Sequence, residues 1–490
     1  MIQNINLNNK NFVFIVLSLL FVLSVQQFDL FRGNILYLIH AIKDFDENNL
    51  QNDWIANQTD HLPFFTYVNY LLIKIFSEKI LYLSHSLLLG ICCYYIFLIC
   101  KNLFPKLEDI NLALLWFTFF IIIFHENSLF SGVAGHDVIN EGHQPASFGV
   151  LFFMGIYFFL KDRIFLCIFL LCLAASFHPT YILHSGFIII AMLIYFLYEK
   201  KFLKCIKVSI LYTILILPIV TFVFSKFLMI EPNITIQGQK ILLNRIPHHA
   251  DIHSWLSYKD FLFILYYLLS LYLIKSNKKF LIFFSIFGVI AIILSFIQFF
   301  LNWNSLALAF PWRASIFIAP ISTMLIFSFF VEKIGNKRIN LYLFPRFFFI
   351  VVFCFFSLKS HYFDNQNLNF QNKLDLAFKI KDIDHEINRI LIPVSVEDLR
   401  MNIGIPIFID WKHVPFRYDE VIHWYERVIL ANEFYGNQNF TDKVKILKKI
   451  QEIEKISHVL IEKELVNFVC ESYIDDKKYF LLRVSDCFVD

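Results

Sequence analysis

The chain has 490 residues, of which 58% are hydrophobic and only 17% charged, with a formal net charge of +3. An ordinary soluble domain is about 45–50% apolar and about 25% charged. This composition therefore argues against a purely soluble protein, and the absence of a basic stripe or Gly-rich phosphate loop argues against nucleic acid or soluble nucleotides as partners.

The apolar residues gather into long, unalternating runs that a lipid bilayer accepts only as helices. In chain order we predict spans at 11–28, 80–100, 110–124, 147–160, 164–178, 180–198, 205–225, 259–274, 280–301, 305–330 and 339–357. The first, behind Lys10, has the outline of a secretion signal. Gln26, Gln27 and Phe28 stand where small residues would mark cleavage, so it reads as an uncleaved span. Residues 64–76 are apolar but short. With eleven spans, Lys10 and the basic loops around 101–106, 161–163, 200–204, 275–279 and 333–338 share one side, which the positive-inside rule makes cytoplasmic. A twelfth span at 64–76 would put Lys101 and Lys106 on the opposite side from the later basic loops, so we expect a non-spanning, interfacial helix there. The expected fold is a polytopic α-helical membrane protein with about 11 transmembrane helices over 1–357 and a C-terminal α/β soluble domain over 358–490. The N-terminus is expected in the cytoplasm and the tail outside.

This threading sends the polar loops outward. The first, 29–63, carries Asp44, Asp46 and Glu47, then Asp53, Trp54, Asp60 and His61. Such carboxylates suit a general base towards a hydroxyl, or a divalent cation that binds phosphate; the simpler alternative is a solvated loop. The second, 125–146, holds His125, Glu126, His136, Asp137, Glu141 and His143 with no Lys or Arg, but lacks zinc-ligand spacing. It suits a sugar or a metal, or is merely a polar loop. The His178-Pro179-Thr180-Tyr181 turn places a histidine at a helix end, where capping or packing is the competing role. The loop 226–258 brings Arg245 beside His248 and His249, a set fit for a phosphate or pyrophosphate head group. Trp303 lies between two asparagines at the end of a span, and Arg313 falls inside an apolar stretch, where a cation is costly unless it snorkels or serves a site.

In the tail, 389–394 and 405–411 read as buried strands, 420–434 and 442–455 as helices, and 458–462 and 479–484 as further strands. Asp410-Trp411-Lys412-His413 follows the second strand, where α/β sheets place ligands, and Trp424-Tyr425-Glu426-Arg427 lies on the next helix; core packing explains both equally well. Seven of nine cysteines lie in or beside apolar runs and read as small hydrophobes; Cys470 and Cys487, in the tail, could pair. The 61 Phe fit a biased composition and indicate no aromatic cofactor site.

The order of one span, an acidic outer loop with an interfacial helix, many spans and an outer α/β tail resembles the GT-C superfamily of membrane glycosyltransferases. That resemblance implies a polyprenyl-phosphate-linked sugar as donor, an envelope acceptor, and Asp44, Asp46 or Glu47 as base or metal ligand. A divalent cation would fit but is not required. The stretches Asp53–Asp60, Gly142–Pro145, His178–Tyr181, Arg245–His249, Pro311–Arg313 and Asp410–Arg427 also look like a bacterial family of multi-pass proteins with a domain of unknown function. On the enzyme reading, phosphate lies near Arg245, His248 and Arg313, and Trp54 and Trp303 stack on sugar. The alternative is a transporter or assembly factor for lipid-linked substrates. The His-rich second loop is not typical of GT-C enzymes.

Overall fold

The computed structural model describes residues 7–26, 35–45, 50–126, 128–140, 142–335, 343–364, 376–377, 379–380, 387–396, 399–463, 474–475 and 478–488. Two compact units emerge. One comprises Met1–Leu30, Phe76–Val223 and Leu243–Asn365; the other comprises Phe31–Ile75, Phe224–Leu242 and Gln366–Asp490.

The helices in chain order are α1 (Leu7–Val25), α2 (Pro63–Phe76), α3 (Ile80–Leu103), α4 (Ile110–Glu126), α5 (Val150–Leu160), α6 (Ile164–Phe177), α7 (Tyr181–Tyr198) and α8 (Phe202–Val223). They continue with α9 (Pro232–Arg245), α10 (Tyr258–Leu273), α11 (Lys278–Leu301), α12 (Ser315–Gly335) and α13 (Phe344–Asp364). Among the described residues, five helical stretches are long and apolar enough to cross a membrane: Ile80–Leu103, Tyr181–Tyr198, Phe202–Leu228, Lys278–Leu301 and Asn304–Gly335. Shorter apolar helices occur at Asn11–Val25, Pro63–Phe76, Ile110–Glu126, Pro145–Leu160, Ile164–Phe177 and Asp260–Leu273. The protein is thus a helical protein of membrane type.

In the helical unit, α1 packs on α3, α4 and α13, α5 on α3 and α6, α7 on α8 and α11, and α10 on α12. Aromatic rings fill the seams. Phe152 stacks on Phe317 at 4.3 Å, and Phe21 meets Phe120 and Phe124 edge-on at 5.0 and 5.1 Å. The abundant Phe is therefore packing material. Lipid supplies no hydrophobic drive between helices, so close van der Waals fit and buried hydrogen bonds must hold them. Fully buried Trp116 on α4 donates its indole N–H to Ser328 Oγ on α12 at 2.9 Å, one such bond. Cys92, Cys93, Cys100, Cys167, Cys172, Cys205 and Cys354 are free, and the first five are buried, in keeping with a packing role.

The second unit holds α14 (Leu399–Ile403), α15 (Tyr418–Gly436), α16 (Phe440–Ile453) and a sheet of β1 (Ile390–Leu391), β2 (His458–Glu462), β3 (Ile474–Asp475) and β4 (Tyr479–Arg483). The strand order is β1-β2-β4-β3, with β1 parallel to β2 and the other pairs antiparallel. Its core gathers Ile380, Ile390, Ile392, Ile407, Leu460 and Leu481. The Tyr435 hydroxyl lies 2.9 Å from the carbonyls of both Leu391 and Leu460, joining α15 to the sheet.

One expected strand is not formed. Residues 405–411 make only an isolated bridge, Ile390 to Ile407. Pro406 has no N–H to give a ladder. The Ile407 N–H, on the edge away from Ile390, goes to the Asp53 carboxylate, and Asp410 turns the chain by accepting the N–H groups of Lys412 and His413. The strand expected at 389–394 is likewise cut to two residues before Pro393. Cys487 is disulfide-bonded; Cys470 lies outside the described residues.

Candidate functional site

The helical unit contains a histidine–arginine cluster against a tryptophan wall. His136 belongs to the turn after α4, and His248 and His249 to a short helix after α9, Pro247–Ala250. The rings of His136 and His249 lie 4.3 Å apart and share one proton between Nε2 and Nδ1 at 2.6 Å; His248 lies 4.0 Å from His249. Burial lowers the pKa of His136 to about 3, helped by the Arg313 charge. Burial takes His249 to about 2, with His136, Arg313, His248 and Arg245 adding to it. His248 is lowered by burial, then by Arg245 and Arg313. Neutral imidazoles therefore surround two permanent cations.

Backbone constraints set this geometry. Phe310 sits in the left-handed region at φ 53, an uncommon place for a bulky residue. It turns the chain between a short helix, Asn304–Ala309, and the Pro311–Ala314 turn that carries Trp312 and Arg313. His184 on α7 lies 3.2 Å from the Phe310 carbonyl and pins that turn. The Arg313 guanidinium lies over the Phe310 ring at 4.2 Å and over the Trp312 ring at 5.8 Å. The loop before His136 can close on α12 because residue 132 is glycine: a Cβ there would lie 2.7 Å from the Ile316 nitrogen.

Trp312 is the shared wall. Its ring is 5.0 Å from His136 on one side and 5.0 Å from Trp255 on the other. Beyond it lies a cavity of about 350 Å³ between α10, α11 and α12, lined mainly by Phe, Ile and Leu. The indole nitrogens of Trp255 and Trp312 are buried with no hydrogen-bond partner among the described residues. The carboxylate lining the cavity, Asp260, accepts from the Ser257 backbone and hydroxyl in a capping box and from the Ala134 N–H at 3.3 Å. A cationic rim, two donor N–H groups and an apolar chamber suit an amphiphile with an anionic head. Among the described residues no group of three or more His, Cys, Asp or Glu could hold a metal ion.

The other candidates lie elsewhere. Asp137 is half-buried beside His136. His143 is buried against His85 and Phe148, with ring distances of 6.3 and 6.1 Å, and burial, then His85, lowers it to about 3. His85 itself lies 3.0 Å from both Gln26 and the Asn140 carbonyl, tying the loop to the helices. His178 bonds the Thr180 hydroxyl at 2.7 Å at the start of α7, a turn-forming contact. Trp303 is 55% exposed beside the end of α11. Asp46, Glu47 and Glu141 lie outside the described residues.

Asp44, Asp53 and Trp54 belong to the second unit. Asp44 is exposed. Asp53 is fully buried and bonds Arg400 Nε at 2.9 Å and the N–H groups of Ile407 and Ala56. Arg400 also bonds Asp410, which accepts from His413 Nδ1 at 2.8 Å. Burial would raise the Asp410 carboxyl, but His413 and Arg400 more than reverse it and hold it well below the usual range. Trp54 lies under the Arg427 guanidinium at 4.4 Å, and Trp424 donates its indole N–H to the Asp410 carbonyl. Thr59 donates its N–H and hydroxyl to Glu420. The stretch 53–60 is thus built into the core of the tail's unit.

Sequence reasoning picked the cationic residues by their chemistry but missed Trp255, Tyr267 and the chamber, which carry no local signal. It also missed Arg400; Asp410, closing the apolar run 405–409, was the hint that a buried cation was needed. No family model matches this chain, and no curated protein is similar to it in sequence.

Proposed function

We propose that this protein is a multi-pass membrane transferase that takes a sugar from a polyprenyl-phosphate donor and passes it to an acceptor of the cell envelope. The supporting observation is the continuity of the Arg245–His249–Arg313 cluster with the apolar chamber across Trp312 and Trp255. A lipid phosphate needs an anion site and a hydrocarbon site joined at the membrane rim, and this pairing supplies both. Phosphate oxygens would take bonds from Arg313 and the imidazoles, and the orphaned indole N–H groups would take ester or sugar oxygens. In the transfer, an acceptor oxygen forms a bond to the anomeric carbon as that carbon's bond to lipid phosphate breaks. The acceptor's proton passes to solvent as the new bond forms, and the phosphate leaves as an anion held by the cationic rim. In this reading eleven helices span the membrane, the N-terminus is cytoplasmic, and the tail is outside, where a disulfide at Cys487 would persist.

One observation favours a second reading, a carrier or assembly factor for the same lipid phosphates. The chamber's carboxylate, Asp260, is occupied by capping bonds. Membranes given labelled polyprenyl-phosphate sugars separate the two. The transferase moves label to a non-extractable acceptor, and Arg313→Ala abolishes transfer at unchanged protein level. Binding of donor without transfer by wild type supports the carrier; failure to bind any such donor refutes both.

A further inference from the structure

Within the chamber, α10 and α11 are pinned together at one place and part company elsewhere. The pin is Tyr267 on α10. Its ring lies on Gly288 so closely that any Cβ there would overlap the phenol, and its hydroxyl donates to the carbonyls of Phe284 and Ser285, at 2.8 and 3.1 Å. Burial of the ring is nearly complete, with 5% exposed. Seven residues earlier on α10, about 10 Å at 1.5 Å per residue, Asp260 lies at the rim near Ala134. Eleven residues after Gly288 on α11, about 16 Å along that helix, Phe299 meets His253 at the same rim, 4.5 Å away. Between rim and pin the seam is flanked by Phe261 and Phe296, which line the cavity yet are 55% and 50% exposed. The chamber therefore opens sideways between two apolar helices, is closed at its deep end by one phenol ring, and meets the cationic rim at the other.

We infer that the chamber is a slot for the hydrocarbon chain of a membrane lipid phosphate, entered laterally between α10 and α11, and that Tyr267 seated on Gly288 is the stopper that sets the longest chain it accepts. This rests on the reading of the Trp–His–Arg site as a lipid-phosphate site. Lipid and slot are equally apolar, so the chain gains little from transfer itself. Chain-length preference then comes from fit: a chain that outruns the slot is overpacked against the ring. Tyr267 is a specificity residue here and takes no part in chemistry.

The test uses the full-length protein in nanodiscs and a series of alkyl phosphates of increasing length, each with a diazirine at the chain end. Labelled residues are mapped after irradiation. In wild type, labelling should move from Phe299 towards Ile264 as the chain lengthens, then fall for chains that pass Tyr267. Tyr267→Ala should restore labelling by the longer chains about tenfold, the factor that relief of about 1.4 kcal/mol of overpacking gives. Tyr267→Phe keeps the ring and should keep the wild-type cut-off. Ala291→Phe fills the slot above the stopper and should move the cut-off to shorter chains. An unchanged cut-off in Tyr267→Ala, or in Ala291→Phe should the former fail to fold, overturns the stopper while leaving the lipid-phosphate site standing. No labelling of the slot by any chain length overturns both.

Discussion

At the residue scale, the decisive feature is a set of histidines kept neutral beside arginines. His136 and His249 fall to about 3 and about 2, first through burial and then through neighbouring charge. Their folded values lie below the ordinary histidine value of about 6.5, so they favour the folded state above about 6.5 and progressively less as pH falls towards those values. Thermal unfolding of the ligand-free protein should show stability declining as pH drops from about 6.5 to about 4. A phosphate in the site reverses the sign, because an anion favours the imidazolium. Binding then takes up protons, and calorimetry in buffers of different ionisation enthalpy should register that uptake, with affinity rising towards acid pH. In the other unit, Arg400 lies between the buried carboxylates of Asp53 and Asp410. Arg400→Met leaves both without their cation and should cost about 3–5 kcal/mol, read as loss of the unit's protection in hydrogen exchange. Arg427→Ala removes a cation over Trp54 and Phe408 and an ion pair to Glu454, and should cost about 1–2 kcal/mol.

At the element scale, the apolar runs were legible because lipid permits so few backbone solutions. Among the described residues the predicted spans fall on helices, down to the short pair α5 and α6, except that 305–330 is broken by Phe310 and the Pro311–Ala314 turn before α12; five helical stretches there are long and apolar enough to cross a membrane. The element at 405–411 was misread because a buried apolar run looks alike as strand or as packed loop. The Pro406 carbonyl and the Phe408 N–H do bond Ile390, but Pro406 has no N–H to extend the ladder, and on the other edge Asp53, far away in sequence, takes the Ile407 N–H. Asp53 and Trp54 were read as site residues because they lie in an acidic, polar stretch, which looks the same whether it serves a ligand or a buried ion pair. His136, His248, His249 and Arg313 were singled out one by one from the sequence, but their meeting depends on turns that no period announces, such as Phe310 in the left-handed region. At this scale, Gly288→Leu should disable the α10–α11 seam: its side chain would displace Tyr267, and trapping of lipid phosphate by purified protein should fall at least about tenfold.

At the scale of the whole molecule, residues 31–75, residues 224–242 and the C-terminal sheet belong to one compact unit. The proposed topology puts that unit outside; a single cysteine at position 140 should then react with a membrane-impermeant maleimide in intact cells, and one at position 277 only after permeabilisation. The central claim, that this membrane protein holds a lipid phosphate by a cationic rim joined to an apolar slot, is tested most directly by native mass spectrometry of the protein released from its own membranes. The account predicts a co-purifying phosphate-bearing polyisoprenoid on wild type that is lost from Arg313→Ala and from His249→Ala but kept by His178→Ala. Wild type carrying no such lipid, or the same lipid at the same occupancy on all three variants, would contradict it.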